Sequence, residues 1–199
     1  MKRVERNEVL GLADYEQIRD PFRKRVIEEK KRRRLNIGPN ASLVFENHDS
    51  VLVQIQEMLR TERITKESSI QHEIDTYNQL IPAANELSAT LMIEIDDKET
   101  REAFLDSAKG FEATVHLVVN GEALPATWEK EREQATRASA VMYLKFPLSR
   151  AAAEYLRGIA RDPKRASEAK VSIKVAHTVY SHEAALTAGA IASIAEDLA

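Results

Sequence analysis

Five short apolar runs constrain most of what this chain can fold into. Residues 42–46 (SLVFE), 88–95 (SATLMIEI), 113–119 (ATVHLVV), 140–146 (AVMYLKF) and 171–176 (VSIKVA) span only five to eight positions each. That length suits strands and is short for buried helices. Asn120-Gly121 reads as a hairpin turn into a further short strand at 123–128. Helical patterns lie between some of the runs, but the two do not alternate strictly. The expectation is an α+β fold in a single domain over 1–199. It would have a mainly antiparallel or mixed sheet of about five strands, with helices packed on it.

The helices are read from periodicity. Tyr15, Ile18, Phe22 and Val26 recur at spacings of three and four, which makes a helical stripe. Asp20-Pro21 interrupts it as a cap and first helical residue would, so a kink or second helix is expected there, running to about Arg34. Gly38-Pro39-Asn40 then breaks the chain. Residues 1–35 read as a helical N-terminal arm and 41–199 as the α+β body. Further helices are expected at 51–64, with Ser50 as cap, and at 66–80, 97–108, 149–160 and 182–198. VLVQIQ, from residue 51, also alternates as a strand would. Residues 129–137 are polar without a stripe and form the least structured stretch. The Ala-rich last helix suits close packing in a homodimer, and equally a cover for the sheet.

Composition narrows the function classes. There is no Cys, which excludes disulfides, thiol nucleophiles and Cys-ligated zinc or iron–sulfur centres within the chain. Aromatics are only 6%, so the core must rest on aliphatic residues. No apolar run is long enough to span a bilayer, and the charged start lacks the apolar stretch of a signal peptide. A cytoplasmic location without membrane contact is expected. The net charge of −3 is uneven: residues 1–34 carry about +5, leaving about −8 on the rest.

Two groups of residues stand out as candidate sites. Gln54, Glu57, Arg60 and Arg63 recur every three residues, so they share one face of a helix, with Glu46 just upstream. With Glu94, and with Glu62 and Glu73 nearby, they could form a buried Arg–carboxylate lattice, since bidentate Arg–carboxylate pairs fix geometry. They could also wall a pocket for a small anion, or supply carboxylates to a metal. The second group is the cationic run at 30–34, with Arg32, Arg33 and Arg34 as candidate partner contacts. A solvated helix end is the plainer account. No aromatic residue lies between Phe22 and Phe45 to stack a base, which argues against RNA or DNA.

The histidines give no ligand set. His72-Glu73 and His182-Glu183 are adjacent pairs that point about 100° apart on a helix, and no Glu-x-x-His di-iron spacing occurs. His177 and His182 flank Tyr180 and could approach one metal or substrate, or be satisfied structural side chains. No Gly-rich phosphate loop and no GxSxG elbow is present. No motif names a cofactor or a catalytic residue, so neither is assigned, and no residue is assigned as a metal ligand.

Several fragments occur together: Lys31-Arg32-Arg33-Arg34 before Gly38-Pro39; Phe45-Glu46; Gln54-x-x-Glu57-Met58-Leu59-Arg60-x-Glu62-Arg63; Glu73-x-x-x-Tyr77-Asn78-x-Leu80-Ile81-Pro82; Leu87-x-Ala89-Thr90; and Ile93-Glu94-Ile95. In this order they resemble a bacterial family known only as domain of unknown function thirty-five-oh-one. The resemblance is strongest over 30–95. It implies an accessory role in redox or peroxide defence, beside a rubrerythrin-like protein or an iron–sulfur oxidoreductase related to heterodisulfide reductase, and the lack of Cys and nucleotide signatures makes a non-catalytic role the expectation. The family's His near a Pro-Tyr pair corresponds here to His177-Thr178-Val179-Tyr180, without the Pro. The alternative, read from the residues alone, is a small-anion or metal-binding enzyme using the Arg/Glu set.

Overall fold

The computed structural model describes residues 1–128 and 136–198. Its first long element is α1 (Leu12–Arg32), which runs through Pro21 without a break. A proline there removes one helical hydrogen bond and crowds the preceding turn. Tertiary packing offsets this: Tyr15 and Val26 are fully buried, and α1 lies along α2 (His48–Thr61). The expected second helix at Pro21 is therefore absent, while Ile18, placed inward by the stripe, is exposed.

The chain leaves α1 at Arg33 and forms a hairpin of β1 (Arg34–Ile37) and β2 (Ala41–Phe45). Gly38 turns it at φ +67, and a Cβ there would come within 2.7 Å of the Tyr180 hydroxyl and the His182 ring. Asn47, not Ser50, caps α2. The Asn47 side chain accepts from the Ser50 amide, and the Ser50 hydroxyl accepts from the Asn47 amide, both at 2.9 Å. This is a reciprocal capping box. Next come α3 (Glu67–Tyr77), β3 (Glu86–Ile93), α4 (Lys98–Ser107), β4 (Val115–Val119) and β5 (Glu122–Pro125). They are followed by β6 (Val141–Pro147), α5 (Arg150–Arg161), β7 (Val171–His177), β8 (Tyr180–Ala185) and α6 (Ala188–Glu196). Residues 129–135, most of the stretch expected to be least structured, lie outside the described residues.

Among the described residues the strands form two antiparallel four-stranded sheets, ordered β1-β2-β3-β6 and β5-β4-β7-β8. The fold is α+β, as expected, but with more strands in two sheets instead of one. The sheets meet at both margins. Thr127 bridges to Lys145 of β6 on one side, and β1 packs beside β8 on the other. Their inward residues, such as Leu43, Leu91, Met142, Leu117 and Ile173, share one core with α4, α5 and α6. The apolar face of α6, at Ile191, Ile194 and Ala195, is buried in that core. Within the chain the last helix covers the sheets.

A second, smaller core lies under the helices and joins Val51, Ile55, Leu59, Ile70 and Ile74 to the N-terminal Val4 and Val9. The Asn78 side chain pins that segment, accepting from the Val4 amide at 2.8 Å and donating to its carbonyl at 2.9 Å. The helical N-terminal arm is thus packed on the body. Among the described residues, no helix is long and apolar enough to cross a membrane.

Candidate functional site

The polar ridge of α2 does not converge on one point. Glu57 faces α1, where its carboxylate accepts from the Tyr15 hydroxyl at 2.7 Å and from Arg19 at 2.8 and 2.9 Å, with Arg23 at 3.5 Å. Hydrogen bonding from Arg19 above all holds the Glu57 carboxyl below the usual range, and Tyr15 adds to this. Burial, together with the Glu57 bond, raises the Tyr15 phenol. Arg60 turns to Glu16, with bonds at 2.8 and 3.2 Å. Arg63 is exposed in the turn after α2 with φ +53. Arg60 and Arg63 line an open recess with Leu12, Glu16 and Thr65.

Glu46 belongs elsewhere. It is buried and accepts from Ser50 at 2.5 Å and Thr90 at 2.6 Å, with Lys30 more loosely at 3.8 Å. Glu94 pairs with Arg34, chiefly through a hydrogen bond that lowers its carboxyl pKa. The lattice that these residues could have formed is instead four separate clusters, around Glu57, Arg60, Glu46 and Glu94, with Arg63 exposed. The reason is α1: it lies along α2 and supplies Arg19 and Glu16 as partners, which sequence spacing within α2 cannot reveal.

The three arginines of the cationic run differ in kind. Arg32 is exposed. Arg33 is only 2% exposed and is committed within the chain. It donates to the carbonyls of Phe45 (2.9 Å), Glu46 (3.2 Å) and Ser193 (3.1 Å), and it pairs with Asp197. Burial pushes the Asp197 carboxyl up, with Arg33 opposing. As a partner contact, Arg33 is corrected by this geometry to a buried clamp. Arg34 faces outward beside Ser42 and Glu94.

Two adjoining cavities flank α1. One, about 420 Å³, lies between α1, α2 and α3, lined by Val26, Ile27, Val53, Met58 and Tyr77, with Arg23, Lys30, Gln54 and Glu57. The other, about 520 Å³, lies between α1 and the outer face of the β1-β2-β3-β6 sheet. Its walls are Val44, Thr90, Met92, Val141 and Tyr143, with Lys30, Lys31, Arg34 and Glu46. Ile27, Lys30 and Gln54 line both. Ile27, Val141 and Tyr143 are exposed apolar side chains beside these cations. Cavities of this size, mostly apolar with a few charged groups, have the character of binding sites.

The sequence matches, over residues 3–198, the family described as "Protein of unknown function (DUF3501)". The chain belongs to that family. The crystal structure of a protein of unknown function from Burkholderia pseudomallei superposes with a TM-score of 0.89. The two are 35% identical, and the match covers 100% of both chains. No functionally curated protein matches. Neither description states an activity.

His177 and His182 of this DUF3501 protein are engaged locally. His177 Nε2 lies 3.1 Å from the Lys109 carbonyl and its Nδ1 accepts from the Val179 amide at 3.3 Å, which together fit the Nε2–H tautomer. His182 packs its ring against Tyr180 in a tilted contact, centroids 4.5 Å apart, instead of joining His177. Among the described residues, no three His, Asp or Glu side chains are grouped to hold a metal. The outer-sheet residues Met92, Val141 and Tyr143 went unremarked as site residues from sequence. Their signal is three large apolar residues at outward positions of β3 and β6, among outward Ser88, Thr90 and Lys145, where a solvated face would be polar throughout.

Proposed function

We propose that this DUF3501 protein is a non-catalytic accessory protein. It docks an acidic partner in the groove between α1 and the outer face of the β1-β2-β3-β6 sheet. The observation that carries this reading is the pairing of exposed apolar side chains, Ile27 and Tyr143, with Lys30, Lys31 and Arg34 along one groove. Apolar anchors with a charged rim are the usual anatomy of a docking surface. Glu46, Glu57 and Glu94 are each already bonded within the chain, which leaves none of these carboxylates as an uncommitted general base.

The partner class follows from the family resemblance: a rubrerythrin-like protein or an iron–sulfur oxidoreductase in a redox or peroxide-defence system. Arg32 would add to the basic rim, while Arg33 keeps the rim in place from beneath. The test is the affinity for a purified rubrerythrin-like protein, measured at low and high salt. Wild type is compared with a Lys31→Glu/Arg34→Glu variant. Binding that weakens with salt and is lost in the variant supports the reading. Binding indifferent to both contradicts it.

A further inference from the structure

The cavity between α1, α2 and α3 is not explained by docking on the sheet. It is an open cleft between α1 and α2 with Tyr77 of α3 at its side, and its apolar wall is assembled from Val26, Val53, Met58 and Tyr77. It opens toward the cavity over the sheet past Ile27, Lys30 and Gln54. The two cavities differ in charge. The interhelical one sets Arg23 and Lys30 against Glu57 and Glu62, which balance. The one over the sheet is lined by Lys30, Lys31 and Arg34 with Glu46 as its acidic residue, while Arg34 and Lys31 also pair with Glu94 and Glu28 at its edge.

Lys30 is the cation shared by both cavities. Its contact with Glu46 is long, at 3.8 Å, and the Glu46 carboxylate is already held by Ser50 and Thr90. Lys30 is therefore a loose third partner there, placed where the apolar cavity meets the positive one. A neutral apolar molecule would leave this cation unused, and a fully polar anion would leave the interhelical wall uncovered. A molecule with both characters satisfies both halves.

We infer that the paired cavities form a binding site for a single-chain amphiphilic acid, its apolar tail between α1, α2 and α3 and its anionic head beside Lys30. The carboxylate of a fatty acid and the phosphate of an alkyl phosphate share this chemistry. The tail gains by leaving water, and the head gains a charge-assisted hydrogen bond. The site does not depend on the docking reading, since its ligand is small and its test uses no protein partner.

The test is calorimetric titration of the full chain with octanoate, decanoate, decyl phosphate and decanol, each below its aggregation limit. Saturable binding of one decanoate per chain is expected, tightening about fourfold per methylene from octanoate. Decanol should bind about tenfold more weakly. Decyl phosphate binding tighter than decanoate would assign the head to phosphate; the reverse would assign it to carboxylate. Lys30→Gln should erase the preference for the acids over the alcohol. Ile27→Trp, at an exposed rim position that does not threaten folding, should block the tail and weaken all four probes. No saturable binding of either acid overturns the inference. So does binding unmoved by Ile27→Trp, or an acid preference that survives Lys30→Gln.

Discussion

Arg33 and Asp197, 164 positions apart in sequence, form a buried ion pair that ties the end of α1 to the end of α6. Asp197 caps α6, at the negative end of the helix dipole, where a carboxylate is unfavourable. Arg33 offsets this. It also donates to the Ser193 carbonyl, in the last turn of α6 where carbonyls lack helical donors. One side chain thus fastens the helical arm to the main core and satisfies a helix end.

Removing one partner of this pair should be costly. Asp197→Ala leaves the Arg33 guanidinium buried without its counter-charge, at a cost of about 3–5 kcal/mol. In a chain of this size that is a fall in Tm on the order of 10 °C. Arg33→Met combined with Asp197→Leu should recover part of the loss. The recovery is only partial because the Phe45 and Glu46 carbonyls also lose a donor. Thermal melts of the three variants check this, and an unchanged Tm in Asp197→Ala would contradict the burial argument.

Glu57 should set part of the acid sensitivity. Its carboxyl is held below the ordinary range by Arg19 first, so its folded pKa lies below its unfolded one. Such a group favours the folded state above the ordinary carboxylate range, and that contribution is lost as pH falls through the folded value. Urea denaturation across a pH series should show wild type losing stability more steeply than Glu57→Gln below about pH 5. Parallel curves would show that the network around Glu57 carries no linkage.

Gly38 and Gly121 make a controlled comparison. Both have positive φ, +67 and +87, so an alanine at either pays a backbone cost of about 1–2 kcal/mol. A Cβ at Gly121 meets nothing within 4 Å, whereas one at Gly38 meets the Tyr180 hydroxyl and the His182 ring at 2.7 Å. That hydroxyl donates to the Ile37 carbonyl and accepts from the Asn40 amide. Gly38→Ala should therefore be clearly the more destabilising in equilibrium unfolding. Equal costs would mean that the β1–β8 margin yields freely.

Pro21→Ala should stabilise the protein, by up to about 3 kcal/mol, because α1 already runs through the position and regains a donor. A higher urea midpoint is the expected result. A lower one would mean that the ring packs better than the backbone suffers.

The strand runs and most helices are legible in the sequence because each carries its own periodicity. β1 is hidden behind the cationic end of α1, and only Ile37 in it is buried. β8 (YSHEAA) is hidden because only Tyr180 is buried, so no alternation shows and the Ala-rich tail reads as helix throughout. Polar partners were not legible: Glu57–Arg19 and Arg60–Glu16 cross between helices. Arg33 did leave a trace. It falls seven residues after Val26, as Phe22 falls seven after Tyr15, so it continues the inward side of α1 although its residue type suggests solvent. The groove could not be read, because it needs the distance between α1 and the sheet.

Hydrogen exchange of the complex with a purified rubrerythrin-like protein tests the docking account most directly. New protection is expected along residues 24–34 of the helical arm and 141–145 of β6, with β8 and α6 unchanged. Protection confined to β8 and α6, or no new protection at saturating partner, would contradict it.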